Sequence, residues 1–437
     1  MTNELSSDQS VEALSWDALV LARRLGGLIL LLFAACGGSS ASSSSMSTLP
    51  PPATSSVVES TTMSTLPPRW DQWSRVLDGS LVSAGDQEMR DVAVVGSTLV
   101  AVGTHHSGEA DDPSGWDASV WVSSDGINWT RVLNEPSLEA AGYQAMHSVV
   151  AGGPGFVAVG VDNRDADSDA AVWTSPDGWT WTRVVHDEAI FGGPDMQAMS
   201  AVASGPLGVV AVGEDVPGWR AAVWFSPDGL TWTRVPHDES LFGSPAYPVI
   251  SDVVAVGDRF WAVGSAALSG SDVAAVWISS DGVTWERVPH DEDAFGIIRR
   301  RMTAIASFSG GLVAVGIAAG GRAIVWTSQD GTDWPRISDS DFGGLSPYGG
   351  SSAMYGVVAL HGGAVAVGRS DGPDGDSQAA VWGSDDGLWW QRLAVFVAPG
   401  EQRANAVALF GGGAVAVGSD SSGREVDAAV WICAEDA

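Results

Sequence analysis

Lysine is missing from this chain. All 21 basic residues are arginine, set against 53 aspartates and glutamates, for a formal net charge of −32. That balance excludes nucleic acid as a partner, because phosphate neutralisation supplies most of such affinity. It also disfavours adsorption to an anionic membrane face, and suits solubility, cations or a basic partner. Cysteine is scarce: the two copies, Cys36 and Cys433, lie near opposite ends. A disulfide framework is therefore excluded as the stabilising device. No apolar run reaches the roughly 20 residues that span a bilayer. No histidine belongs to a recognisable catalytic triad motif. What the chain does have is glycine, 54 copies, and tryptophan, 21 copies, in 437 residues. That is the composition of strands and tight turns rather than long helices.

Near the N-terminus Arg23 and Arg24 precede an apolar stretch over residues 25–35, the length of a signal-peptide core. It ends Phe33-Ala34-Ala35-Cys36-Gly37. This resembles the bacterial lipobox, with Phe33 where leucine is usual, and implies a lipid anchor on Cys36 at an extracytoplasmic membrane surface. Residues 36–68 are rich in Ser, Thr and Pro, and Met46-Ser-Thr-Leu-Pro-Pro51 recurs as Met63-Ser-Thr-Leu-Pro-Pro68. Such a segment buries too little to fold and reads as a disordered tether.

From residue 69 onward the chain repeats. A Val-Ala-Val-Gly phrase places glycines at 103, 160, 213, 264, 316, 368 and 418. An Ala-Val-Trp phrase places Trp121, Trp173, Trp224, Trp277, Trp326, Trp382 and Trp431. A period near 50 residues marks a solenoid, a propeller or an array. A third phrase, Ser-x-Asp-Gly-x-x-Trp, supplies Asp125, Asp177, Asp228, Asp281, Asp330 and Asp386, and it occurs only six times. Its seventh continuation stands at the other end, where Trp73-Ser74-Arg75-Val76 matches Trp129-Thr130-Arg131-Val132. Each unit reads as four short strands, A to D, with Asp-Gly as a hairpin turn between C and D. A solenoid needs polar caps, whereas a ring can borrow its last strand from the N-terminus. The expectation is an all-β, seven-bladed β-propeller over residues 69–437, closed by an outer strand carrying Trp73, Arg75 and Val76. It follows that deleting residues 69–77 should open the seventh blade.

The Ser-x-Asp-Gly-x-x-Trp phrase resembles the Asp-box of sialidase-type (BNR-repeat) propellers, shortened here by one residue between Asp and Trp. The resemblance covers residues 70–436. It implies a structural role for the box, on the face opposite the usual binding site. Sialidases clamp a sugar carboxylate with three arginines and use a tyrosine–glutamate pair. By that likeness Arg90, Arg301, Arg403 and Tyr355, all on A strands, form a candidate ligand-binding set. However, the Phe-Arg-Ile-Pro motif of sialidases is absent, and their propellers have six blades.

The B–C and D–A loops share one face, opposite the Asp-Gly turns, and carry the variation expected of a binding surface. There Trp116 and Trp219 join the candidate ligand-binding residues, with Tyr143, Tyr247 and Tyr348 as further loop aromatics. Three D–A loops repeat His-Asp-Glu, at His186, His237 and His290. Such residues suit a transition metal. Recurrence in successive blades reads instead as a shared turn, with Phe191, Phe242 and Phe295 packed between blades. The B–C loops at residues 162–169 and 371–376 are acidic and offer oxygen ligands for Ca²⁺, without EF-hand spacing. The sequence thus gives no assigned metal and no other cofactor. Its first functional reading is a monomeric, envelope-anchored propeller that binds a glycan or protein partner. The alternative is a sialidase-like glycoside hydrolase.

Overall fold

The computed structural model describes Trp70 and residues 72–433, apart from short loop segments at 107–114, 141, 164–166, 217–219, 244–247, 338–341, 343–349, 360–361 and 373. These residues form seven four-stranded antiparallel sheets, the blades of a β-propeller. Six blades use consecutive strands, as in blade 1: A (Gln87–Val95), B (Thr98–His106), C (Trp116–Ser123) and D (Thr130–Arg131). The seventh sheet contains Gln402–Phe410, Gly413–Asp420 and Asp427–Cys433, and its outermost strand is Trp73–Arg75 from the other end of the chain. The pairing is antiparallel, with Trp73 opposite Cys433 and Arg75 opposite Trp431.

The apolar alternation of strands B and C builds seven cores, one between each pair of neighbouring blades. Between blades 3 and 4, for example, Val210 and Val212 pack with Phe260 and Trp277. Between blades 7 and 1, Val415, Val417 and Val430 pack with Leu99, Ala101 and Trp121. The strand-C tryptophans are all 0 % exposed, so each contributes its full side-chain area to a core. At roughly 25 cal/mol per Å², a fully buried tryptophan of about 150–250 Å² contributes about 4–6 kcal/mol as an upper bound. Several indole N–H groups are also satisfied across blades. Trp173, Trp224, Trp277 and Trp326 donate to the carbonyls of Ser137, Ile190, Leu241 and Ala294 in the preceding D–A connections.

The six Asp-Gly turns share one bonding scheme. The serine Oγ accepts from the glycine N–H at 2.8–2.9 Å. The aspartate Oδ1 accepts from the two N–H groups that follow the glycine at 2.6–3.1 Å. The strand-D indole then donates to the glycine carbonyl at 2.8–3.2 Å. These glycines have φ between +75° and +83°, which a side chain would strain. Each turn therefore satisfies its own backbone without a partner strand.

No helix among the described residues is long and apolar enough to cross a membrane. Among the described residues, single α-helical turns stand in the D–A connections at Glu239–Phe242 and Glu292–Phe295, and Gly79–Leu81 forms a 3-10 turn.

Candidate functional site

Strand A is the innermost strand of each blade, and all seven carry a β-bulge at the same place. The register skips one residue after Met89, Met146, Met199, Ile250, Met302, Met354 and Ala404. The skipped residues are Arg90, His147, Ser200, Ser251, Thr303, Tyr355 and Asn405. A bulge leaves a residue outside the ladder and re-aims its side chain. Every one of these residues is polar, so the bulges create an inner polar ring on an otherwise apolar repeat. The Val-Ala-Val-Gly glycine sits opposite each bulge. A Cβ on Gly160 would lie 1.9 Å from the Ala145 carbonyl oxygen, and one on Gly213 2.0 Å from that of Ala198.

Part of the ring locks neighbouring blades together. His147 Nδ1 reaches the Met199 carbonyl at 2.8 Å, which makes Nδ1 the protonated nitrogen. Thr303 Oγ1 donates to Met354 O at 2.6 Å and Asn405 Nδ2 to Met89 O at 2.8 Å. The next residue along the strand adds a second latch. Asp91 Oδ2 accepts from Ser148 Oγ and from Val149 N, and Asp252 Oδ2 accepts from Ile305 N at 2.8 Å.

The described candidate ligand-binding residues fall into four separate environments. Arg403 Nη2 bonds Glu88 Oε1, which Asn405 Nδ2 also reaches at 2.9 Å. Arg90 Nε lies 3.5 Å from the other oxygen of Glu88. Blades 7 and 1 thus bring Arg90 and Arg403 onto one carboxylate. Arg301 instead pairs with Asp272 at 3.6 Å. The Tyr355 hydroxyl accepts from Arg369 Nε at 2.8 Å, and Arg369 Nη1 also donates to Ser377 Oγ. Trp116 packs at a tilt against the His106 ring, with centroids 4.9 Å apart, and is half-buried. Trp219, Tyr247, Tyr348 and Cys36 lie outside the described residues. Glu88, Asn405 and Arg369 had not been singled out in the sequence. Asn405 occupies the strand-A bulge position that is polar in every blade, whereas Glu88 and Arg369 carry no repeat signal.

The three His-Asp-Glu loops form capped turns. Asp187, Asp238 and Asp291 each accept from an N–H two residues on, at 2.8–3.0 Å. Phe191, Phe242 and Phe295 are buried beneath them. In blade 2 the turn adds something else: Asp169, His186 and Glu188 converge, with one ligand-type atom from each lying within 4.8 Å of the others. Burial pushes the Asp169 carboxyl up to about 6, with His186 and Arg183 pulling down and Glu188 and Asp167 pushing up. The acidic B–C loops are partly engaged by protein: Asp162 pairs with Arg183 at 2.7 Å, and Asp371 accepts from Ser351 N and Oγ.

The arrangement defines a seven-bladed propeller with a polar inner ring and a loop face rich in carboxylates. Comparison with known proteins reaches that class and goes no further. No family model and no curated protein sequence matches the chain. Among solved structures, the chain is similar to the WD40 repeats of RRP9, at 11% identity and a TM-score of 0.50, covering 82% of this chain and 96% of that one. It is similar in the same way to U3-55K, at 12% identity and a TM-score of 0.50, covering 82% and 97%. Trypanosoma rangeli sialidase matches with a TM-score of 0.47 and 13% identity over 83% of this chain. The chain spans only 59% of that sialidase's length.

Proposed function

We propose that this protein is a non-catalytic propeller that binds a glycan or protein partner at the cell envelope. The observation that carries this reading is the state of the inner ring. Arg90 and Arg403 both already engage Glu88, Arg301 pairs with Asp272, and Tyr355 faces the guanidinium of Arg369 rather than a carboxylate base. A tyrosine nucleophile needs an adjacent general base, and an arginine clamp needs its guanidiniums gathered on the ligand rather than held apart on protein carboxylates. Polar loops and half-buried aromatics such as Trp116 suit recognition instead.

The six Ser-x-Asp-Gly-x-x-Trp turns are read as shortened Asp-boxes with a structural role, since their bonds are all made within the turn. Anchoring is proposed from the sequence: Arg23-Arg24, the apolar core, Ala34-Ala35-Cys36 and the Ser/Thr/Pro tether form one coherent export and lipidation segment. The −32 charge supports a soluble, monomeric body and argues against nucleic acid.

The test is a glycan array run alongside a panel of fluorogenic glycosides, using the full chain. Binding of a glycan without turnover supports the proposal. Hydrolysis of any sialoside or other glycoside would overturn it in favour of a sialidase-like enzyme.

A further inference from the structure

The three His-Asp-Glu turns differ in what faces them. Four residues before the strand-C tryptophan, blade 2 has Asp169, while blades 3 and 4 have Arg220 and Val273. Where Arg220 stands, its Nη2 lies 3.9 Å from Glu239 Oε2, and His237 Nε2 closes on that same oxygen at 3.0 Å. Where Asp169 stands, the spacing opens. His186 Nε2 is 3.3 Å from Glu188 Oε2 and 3.6 Å from Asp169 Oδ2.

A charge-assisted N–H···O bond is about 2.7–2.9 Å long, so both distances are wide for such a hydrogen bond. They do fit the edge of a tetrahedron around a small cation. Ligand bonds of about 2.0–2.2 Å place neighbouring donors about 3.3–3.6 Å apart.

A second observation is independent of the spacing. The Asp169 side chain is only 8 % exposed, and its Oδ1 is buried with no hydrogen-bond partner among the described residues. A buried carboxylate oxygen left unsatisfied is costly unless something cationic meets it. Glu188, by contrast, is 70 % exposed on the same site and leaves an entry path from solvent.

We propose that Asp169, His186 and Glu188 form a site for one divalent transition ion of the zinc class, with a fourth position open to water or a ligand. One imidazole and two carboxylates make a mixed nitrogen–oxygen donor set. Such a set favours zinc, cobalt or nickel over calcium, which takes six to eight oxygens. The site lies on the B–C and D–A loop face, at the outer end of blade 2's strand C.

The test is calorimetric titration of the full chain with Zn²⁺, with Co²⁺ as a spectroscopic probe through its visible absorption. One equivalent should bind. Asp169→Asn and His186→Gln should each weaken binding at least tenfold, and His237→Ala should leave it unchanged. Asp169→Asn keeps the side-chain shape and removes a buried charge, so its fold should survive; circular dichroism checks this. The proposal is overturned if neither ion binds, or if Asp169→Asn and His186→Gln, both folded, bind as the parent does.

Discussion

Trp73 stands directly across the sheet from Cys433, as Trp285 stands across from Ser279 within blade 4. In the other six blades that position of strand C holds the serine that ties down the Asp-Gly turn. In the seventh, strand D arrives from elsewhere in the chain, so no turn glycine has to be held. A buried cysteine then serves as well as a hydroxyl. Among the described residues the Trp73 indole N–H has no partner, whereas its counterparts in the other blades donate to the turn glycine carbonyl.

The joining strand reproduces contacts found inside continuous blades, and this gives the first prediction. Arg75 Nη1 meets Asp420 Oδ2 at 2.5 Å and lies 5.2 Å over the Trp431 ring. Arg234 does the same with Asp215 and Trp224 in blade 3. Trp73→Ala should cost about 3–5 kcal/mol, as for other buried tryptophans. Arg75→Ala and Asp420→Ala should couple by about 0.5–3 kcal/mol in a double-mutant cycle. Denaturant titration reads both. A Trp73→Ala variant as stable as the parent would mean that the strand closes nothing.

The turn aspartates make stability depend on acidity. Backbone N–H groups of Thr332 and Asp333 hold the Asp330 carboxyl down at about 2, from 3.8. Asp125 is likewise lowered to about 2, chiefly through Asn128. A carboxylate with a depressed folded value stabilises the fold above its unfolded value, and that contribution is lost as pH falls through the folded one. Asp330→Asn should therefore melt below the parent at pH 7, and the gap should narrow below about pH 4 and close near pH 2. Thermal melting across that range is the measurement. A gap that stays constant with pH would show that the charge does nothing.

The repeats made the fold legible because tryptophan and glycine are bulky and absent requirements respectively, with few substitutes. A strand-C indole fills one inter-blade core, and the strand-B glycine has no room for a Cβ. The inner ring was hidden for the opposite reason. A bulge needs only one extra residue, and Arg90, His147, Ser200, Ser251, Thr303, Tyr355 and Asn405 share polarity but no side chain. The His-Asp-Glu loops were visible as a shared turn, but Asp169 was not visible as their third member. It comes from the start of a strand, and its counterparts in the next two blades are Arg220 and Val273. Arg90 and Arg403 were placed on A strands by pattern alone. Their common carboxylate, Glu88, became apparent only from the packing of blade 7 on blade 1.

The inner latches should be worth measuring one at a time, because they join blades through a side chain rather than a sheet. Asp252 Oδ1 accepts from Val253 N within its own strand, and Oδ2 accepts from Ile305 N in the next blade. Ile305 is buried, so removing the acceptor strands its N–H away from water. The cost of such an orphaned donor is about 1–3 kcal/mol, and the charge on the acceptor places it toward the upper end. In blade 5, Ala304 occupies the position of Asp252 and makes no such bond, so a substitution there serves as the control. Asp252→Ala should destabilise by about 1–3 kcal/mol, whereas Ala304→Ser should change little. Hydrogen exchange at the Ile305 amide should rise in the first variant alone. Equal protection of that amide in both would remove the carboxylate from any role in holding blades 4 and 5 together.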